Sequence, residues 1–375
     1  MIKKILFYFL LAFSLPILIF SLDFILTKLI FKDYHYFKIN EKRAPKQQFY
    51  RVKNEFYHHG FLPNINVLEE NIGFGTYRFV TNSLGFKDSE TREVVLKKDK
   101  HRILFIGDSF TEGVLLDYED TFVGIIDNNL KKFDIEVLNA GVGSYYPSIY
   151  YNKILYLINN LKLEFDELIV FIDLSDAKDE FSKEIEENKI VYEKKLNLFE
   201  KTVKFIKSNF VLTYTLLNLV YDYTKDKYLS DSENFIIHMS EVNTFTTGWT
   251  FDEAIYKEYG EFGLQEMKIK MQLLVDLCKK NNIDMTIAVY PWFQQIYNND
   301  FDSIHVKIWK SFSEKNNIDF INFFPFFFSK ENSFNENLEI IKKYYIPFDV
   351  HFNKLGNKLI SDNFLNFYEI KKNNN

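Results

Sequence analysis

A chain of 375 residues with 47% hydrophobic content can bury one large α/β core carrying insertions, or two smaller cores. A formal net charge of -6 leaves no electrostatic footprint for nucleic acid, so a nucleic-acid partner is not expected. A single cysteine, Cys278, excludes an intrachain disulfide and any cysteine-ligated metal cluster.

In chain order, Met1-Ile2-Lys3-Lys4 precedes a run that is uncharged from Ile5 to Leu22. That length approaches the ~18–20 apolar residues that span a bilayer. No small-x-small cleavage site follows, so residues 1–31 read as an uncleaved signal anchor, a transmembrane helix with Lys3 and Lys4 on the cytoplasmic side. The membrane is then a partner of the chain. Residues 32–100 read as a spacer and N-terminal extension, in which YRFVTNSLGF (77–86) predicts a short strand entering a turn at Asn82-Ser83.

From there the pattern changes. RILFIG (102–107), IEVLNA (135–140), LIVFID (168–173), MTIAVY (285–290) and FINFF (320–324) are apolar runs of strand length. Helical patterns fall between and after them, at 120–132, 148–162, 254–281, 303–316 and from Lys354 to about Tyr368. Strands alternating with helices predict a parallel sheet covered on both faces, a doubly wound, flavodoxin-like three-layer α/β/α sandwich of five strands spanning 101–372. The connection between Ile172 and Met285 is too long for a structureless loop and predicts a helical insertion at about 178–252.

Glycines are scarce, 13 in all, yet Gly107, Gly113, Gly124, Gly141 and Gly143 fall within 101–150. Gly107 and Gly113 bracket Ser109 just past the first strand of the sheet, and Gly141 and Gly143 follow the second. Glycine turns let backbone N–H groups converge on a ligand oxygen, and open α/β sheets bind ligands beyond the carboxyl ends of their strands. A serine hydroxyl needs a base to take its proton, usually a histidine held by a carboxylate. Of the seven histidines, His351 has the most suitable setting, after the last strand and with Asp349 two residues before it. His58-His59 and His35 lie in the spacer, His101 opens a strand at the wrong end, and His238 and His305 lie in an insertion and a helix.

Gly107-Asp108-Ser109 with Thr111-Glu112-Gly113 resembles the first block of the SGNH/GDSL hydrolases, and Asp349-Val350-His351 with Asn353, Gly356 and Asn357 is similar to their last. GFKDSE (85–90) and VYPW (289–292) resemble a membrane-anchored bacterial branch of that family. The resemblance covers roughly residues 75–370 and implies Ser109 as nucleophile, His351 as base and Asp349 as the triad's acid. It also implies an oxyanion hole of the Ser109 N–H and one N–H from the turn after the second strand, where Gly143 and Ser144 remain alternatives. The family's side-chain amide from an Asn-Asp pair is replaced by Ser175-Asp176, leaving the Ser175 hydroxyl as the candidate donor.

The implied activity is that of a serine esterase releasing acyl groups, foremost acetyl, from an envelope glycan or related carbohydrate ester. The alternatives are an O-acyltransferase and a catalytically silent glycan-binding protein. No metal or organic cofactor is implied. The implied location is the bacterial inner membrane, single-pass, with the catalytic domain on the periplasmic side. Gly107-Asp108-Ser109-Phe110-Thr111 lacks the second glycine of the α/β-hydrolase elbow, which ranks that fold low. Trp249, Trp292 and Tyr145 are candidates for a sugar-lining surface, with core packing the simpler account.

Overall fold

Buried backbone must find hydrogen-bond partners, and in this chain the apolar runs find them in one another. The computed structural model describes residues 2–29, 49–71, 75–187, 198–228, 232–242, 244–347 and 349–374. It divides into two compact units, Met1–Gln47 with Val191–Asn234, and Gln48–Ile190 with Phe235–Asn375.

The larger unit opens with two antiparallel hairpins. β1 (Arg51–Asn54) pairs with β2 (His58–Phe61), and β3 (Asn66–Asn71) pairs with β4 (Gly75–Val80). The extension read from 77–86 is therefore a strand, and its Phe79 ring stacks on Tyr50 with centroids 4.3 Å apart. Residues 32–48 of the expected spacer lie outside the described residues.

Five parallel strands follow: β5 (His101–Ile106), β6 (Ile135–Asn139), β7 (Glu167–Ile172), β8 (Asp284–Val289) and β9 (Asp319–Asn322). Their spatial order is β6-β5-β7-β8-β9, the doubly wound order with its switch point between β5 and β7. Ile103, Leu104, Phe105 and Ile106 are fully buried, as both faces of the sheet are covered. Helix Glu261–Lys280 packs beside Pro147–Tyr156, and helix Phe122–Leu130 packs against β6 and Lys354–Asn374. Between the layers the rings of Phe105, Phe122, Phe171, Phe323 and Phe364 make successive contacts. Trp249, Trp292 and Tyr145 are buried in this core.

The described parts of the long connection are helical, including Asp176–Glu187, Leu198–Asn209, Val211–Tyr228 and Ser232–Val242. The smaller unit contains the helix Ile2–Leu29 together with Leu198–Asn209 and Val211–Tyr228. The transmembrane reading of residues 1–31 is overturned, because no helix among the described residues is long and apolar enough to cross a membrane. The helix that begins at Ile2 does not stop where the uncharged run does. It continues through Asp23, Thr27 and Lys28, and Asp23 is buried against protein. Its carboxylate accepts the N–H groups of Leu212 and Thr213 at 3.1 and 2.8 Å, while Thr27 Oγ1 accepts that of Val211 at 2.9 Å. This end of the helix caps a neighbouring helix N-terminus, a task for polar side chains.

Candidate active site

Beyond Ile106 the chain must turn sharply, and Gly107 permits it. A Cβ there would lie 2.1 Å from Thr111 Oγ1 and 3.0 Å from the Phe171 carbonyl oxygen. Asp108 then caps a single helical turn, Ser109–Glu112, by accepting the Phe110 N–H at 2.9 Å. Gly113 ends that turn at φ +71, in the left-handed region. Fully buried Lys87 donates to the carbonyls of Gly113 and Leu116 at 2.6 and 2.8 Å, and burial draws its pKa down to about 8. The half-buried Ser109 is thus presented on a fixed elbow at the carboxyl edge of the sheet.

The second part comes from the far end of the chain. Ile346 N–H donates to the His351 carbonyl and Asp349 N–H to the Ile346 carbonyl, tying these three residues together. His351 Nε2 lies 2.8 Å from Ser109 Oγ, and His351 Nδ1 is hydrogen-bonded to Asp349 Oδ1. Burial works to raise the Asp349 pKa, but the imidazole and the His351 N–H hold it below the usual carboxylate range. The Phe110 ring rests against the imidazole with centroids 4.8 Å apart. Asn357 Oδ1 accepts the Phe122 N–H at 2.9 Å, tying the start of the last helix to the layer beneath.

The donors for a developing oxyanion can be sorted by what they already bind. In the turn after β6, Gly141 N–H donates to Asn139 Oδ1, Val142 N–H to the Gly107 carbonyl, and Gly143 N–H to Glu112 Oε2 at 2.7 Å. Among the described residues, neither the Ser109 N–H nor the Ser144 N–H has an acceptor within the protein. Ser144 sits at φ +64, and a Cβ on neighbouring Gly143 would lie 3.5 Å from Ser109 Cβ, so this turn borders Ser109. Ser175 N–H donates to Asp173 Oδ1 at 2.7 Å, and its carbonyl starts the helix Asp176–Glu187. Among the described residues no hydrogen bond joins Ser175 to Ser109 or His351.

Three residues here were given no role by the sequence reading: Glu112, Arg51 and His59. Glu112 holds the Gly143 N–H with one carboxylate oxygen and Arg51 Nη2 with the other, the latter at 2.5 Å. His59 Nε2 lies 2.9 Å from the Gly143 carbonyl and therefore carries the proton as donor. Burial holds the His59 pKa below its ordinary value, keeping the ring neutral near pH 7. Arg51 and His59 come from the hairpin of β1 and β2, a region read from sequence as spacer. The short runs flanking Asn54-Glu55-Phe56-Tyr57 were the available signal.

Beneath the serine lie three buried carboxyls, Asp108, Asp173 and Asp176. Asp173 Oδ2 accepts from Tyr290 at 2.6 Å and from Trp292 Nε1 at 2.5 Å, while Tyr290 Oη also lies 3.1 Å from Asp108 Oδ1. Burial and the Asp173 charge raise Asp108 and Asp176 well above the carboxylate range. The same two causes push Asp179, on the next turn, up to about 7. A carboxyl with a raised folded-state pKa keeps a proton that the unfolded chain has released, so stability falls as pH rises. For Asp179 that window runs from its ordinary 3.8 to about 7. Asp179→Asn is expected to shrink the drop in melting temperature between pH 5 and pH 8. An unchanged difference would remove Asp179 from this account.

No family model and no curated protein matches the chain. Among solved structures it is similar to a psychrotrophic esterase from Pseudoalteromonas sp., at 15% identity over 73% of this chain and 100% of that one, with a TM-score of 0.38. A putative lipolytic protein of the G-D-S-L family from Desulfitobacterium hafniense gives 14%, 70%, 95% and 0.36 in the same terms. An acetylxylan esterase from Geobacillus stearothermophilus gives 13%, 73%, 95% and 0.38. These neighbours are esterases and lipolytic proteins, at scores too low to assign chemistry to this chain.

Proposed function

We propose that this chain is a GDSL-type serine esterase that removes acyl groups, foremost acetyl, from an acylated carbohydrate. The supporting observation is the relay in which His351 Nε2 lies 2.8 Å from Ser109 Oγ with Asp349 on the other ring nitrogen. Ser109 Oγ attacks the ester carbonyl while its proton passes to His351 Nε2. The N–H groups of Ser109 and Ser144 receive the oxyanion, and Asp349 steadies the imidazolium. His351 then protonates the departing sugar oxygen, leaving acyl-Ser109. Water, deprotonated by the same imidazole, releases the acid and restores the hydroxyl.

The test is turnover of p-nitrophenyl acetate by the full chain, beside labelling with a serine-directed fluorophosphonate. Turnover with the label on Ser109 supports the reading, and folded protein silent in both overturns it.

Glu112 and Arg51 act in this scheme as positioning residues, holding the Gly143 end of the turn so that the Ser144 N–H stays in place. Arg51→Gln removes a charge-assisted hydrogen bond of about 1.5 kcal/mol and is expected to lower kcat about tenfold with little change in KM. Rescue of kcat by Arg51→Lys would identify the charge as the cause. A loss confined to KM would place Arg51 on the substrate instead.

A further inference from the structure

A cleft of about 1190 Å³ opens beside the Ser144 turn, between the β1–β2 hairpin, the helix Pro147–Tyr156 and the helix Asp176–Glu187. Its volume exceeds the ~300–1,000 Å³ of a typical small-ligand pocket, leaving room for more than one sugar ring. Ser144 lines this cleft, and its neighbour Gly143 lies against Ser109, so the cleft begins one residue from the contact with the serine.

The lining has a definite chemical character. Asn54 Oδ1 accepts the N–H groups of Phe56 and Tyr57 at 2.8 and 3.2 Å, fixing the tip of the hairpin. The Phe56 ring stacks on Tyr156 with centroids 4.8 Å apart while remaining 48% exposed. An open aromatic face results, beside the exposed polar side chains of Asn152 and Ser182. Charges of both signs, such as Lys53 and Glu55, are mixed along the walls. A nucleotide or polyanion would call for one sign of charge, and a long acyl chain for an apolar lining. Rings to stack on the C–H face of a pyranose, with amides and hydroxyls for its OH groups, fit a neutral saccharide.

We propose that this cleft binds an oligosaccharide portion of the substrate, with the ester-bearing sugar at the Ser144 end and the next sugar on the Phe56 ring. The proposal rests on the esterase reading for the orientation of the ester, and on the cleft alone for binding.

The experiment compares wild type with Phe56→Ala and Asn152→Ala, both at exposed positions where folding is not at stake. Substrates are p-nitrophenyl acetate and O-acetylated xylo-oligosaccharides. The ratio of kcat/KM for the oligosaccharide to that for p-nitrophenyl acetate is expected to fall about tenfold in each variant, the loss of roughly one aromatic or polar contact. Deacetylated oligosaccharide is titrated calorimetrically into Ser109→Ala, with and without Phe56→Ala, and should bind about tenfold more weakly when the ring is gone. An unchanged ratio, or no binding to Ser109→Ala, overturns the cleft. Inactivity toward p-nitrophenyl acetate together with Phe56-dependent binding would instead sink the esterase reading and leave the cleft standing.

Discussion

Ser109→Ala and His351→Ala are each expected to lower kcat/KM toward p-nitrophenyl acetate by about 10⁴–10⁶-fold, because residues that act as one unit fail together. Without Ser109 no acyl-enzyme forms. Without His351 the hydroxyl remains protonated near neutral pH. Asp349→Asn is expected to cost about 10²–10⁴-fold, since an amide can donate to Nδ1, leaving the proton on Nε2 where the base must accept one, and cannot balance the imidazolium charge. The double variant Ser109→Ala with His351→Ala should be hardly worse than either single one. Melting temperatures should stay close to wild type, as Ser109 is half-buried and, among the described residues, its hydroxyl bonds only Asp108 and His351. Full activity in Ser109→Ala, or losses that multiply in the double variant, would break the relay.

The largest loss of stability is expected at the opposite edge of the sheet. The parallel register sets Arg102 of β5 beside Glu136 of β6, and Arg102 Nε donates to Glu136 Oε2 at 2.6 Å. Arg92 Nη1 takes the other carboxylate oxygen at 2.6 Å and Arg92 Nε holds Asp88 at 2.9 Å. The Arg102 side chain is only 2% exposed, and its remaining N–H groups reach the carbonyls of Val95 and Glu164. Glu136→Ala would leave that guanidinium buried without its counter-charge, at a cost of about 3–5 kcal/mol. Burial works to raise the Glu136 pKa, and the two arginines overcome it and hold it below the ordinary range. The stabilisation is therefore present above the unfolded-state pKa near 4.5 and lost as pH falls through the folded one. Urea unfolding at pH 7 and pH 3.5 reads both effects. Replacing the pair with Arg102→Met and Glu136→Met should recover much of the loss, and no recovery would mean that the carbonyl contacts of Arg102 matter more than the ion pair.

The sheet was legible because its strands are covered on both faces, so each appears as an unbroken apolar run with no alternation to decode. That Ser109, Asp349 and His351 would meet was legible because the residues around them resemble two family blocks, each placed at a turn beyond a strand end. The unpaired N–H of the β6 turn was not. Which N–H stays free depends on Glu112, whose carboxylate takes the one at Gly143, and a side chain's reach is not written in backbone spacing. Arg51 and His59 escaped for a related reason. They act across 61 and 84 residues of sequence from a four-residue strand pair too short to announce itself. The N-terminal run misled because hydropathy counts residues up to Leu22, whereas Asp23 and Thr27 of the same helix are engaged with a neighbouring helix terminus.

Ser109 and His351 are hydrogen-bonded across 242 residues of sequence, with four of the five sheet strands begun and finished between them. Closing so long a loop carries an entropy cost that is recovered only once the intervening strands have paired. Under the proposed mechanism, a chain in which His351 has not docked would hold Ser109 without its base. If the proposed relay operates, Ser109 becomes reactive only once His351 has docked, so covalent labelling at this position would report completion of the fold.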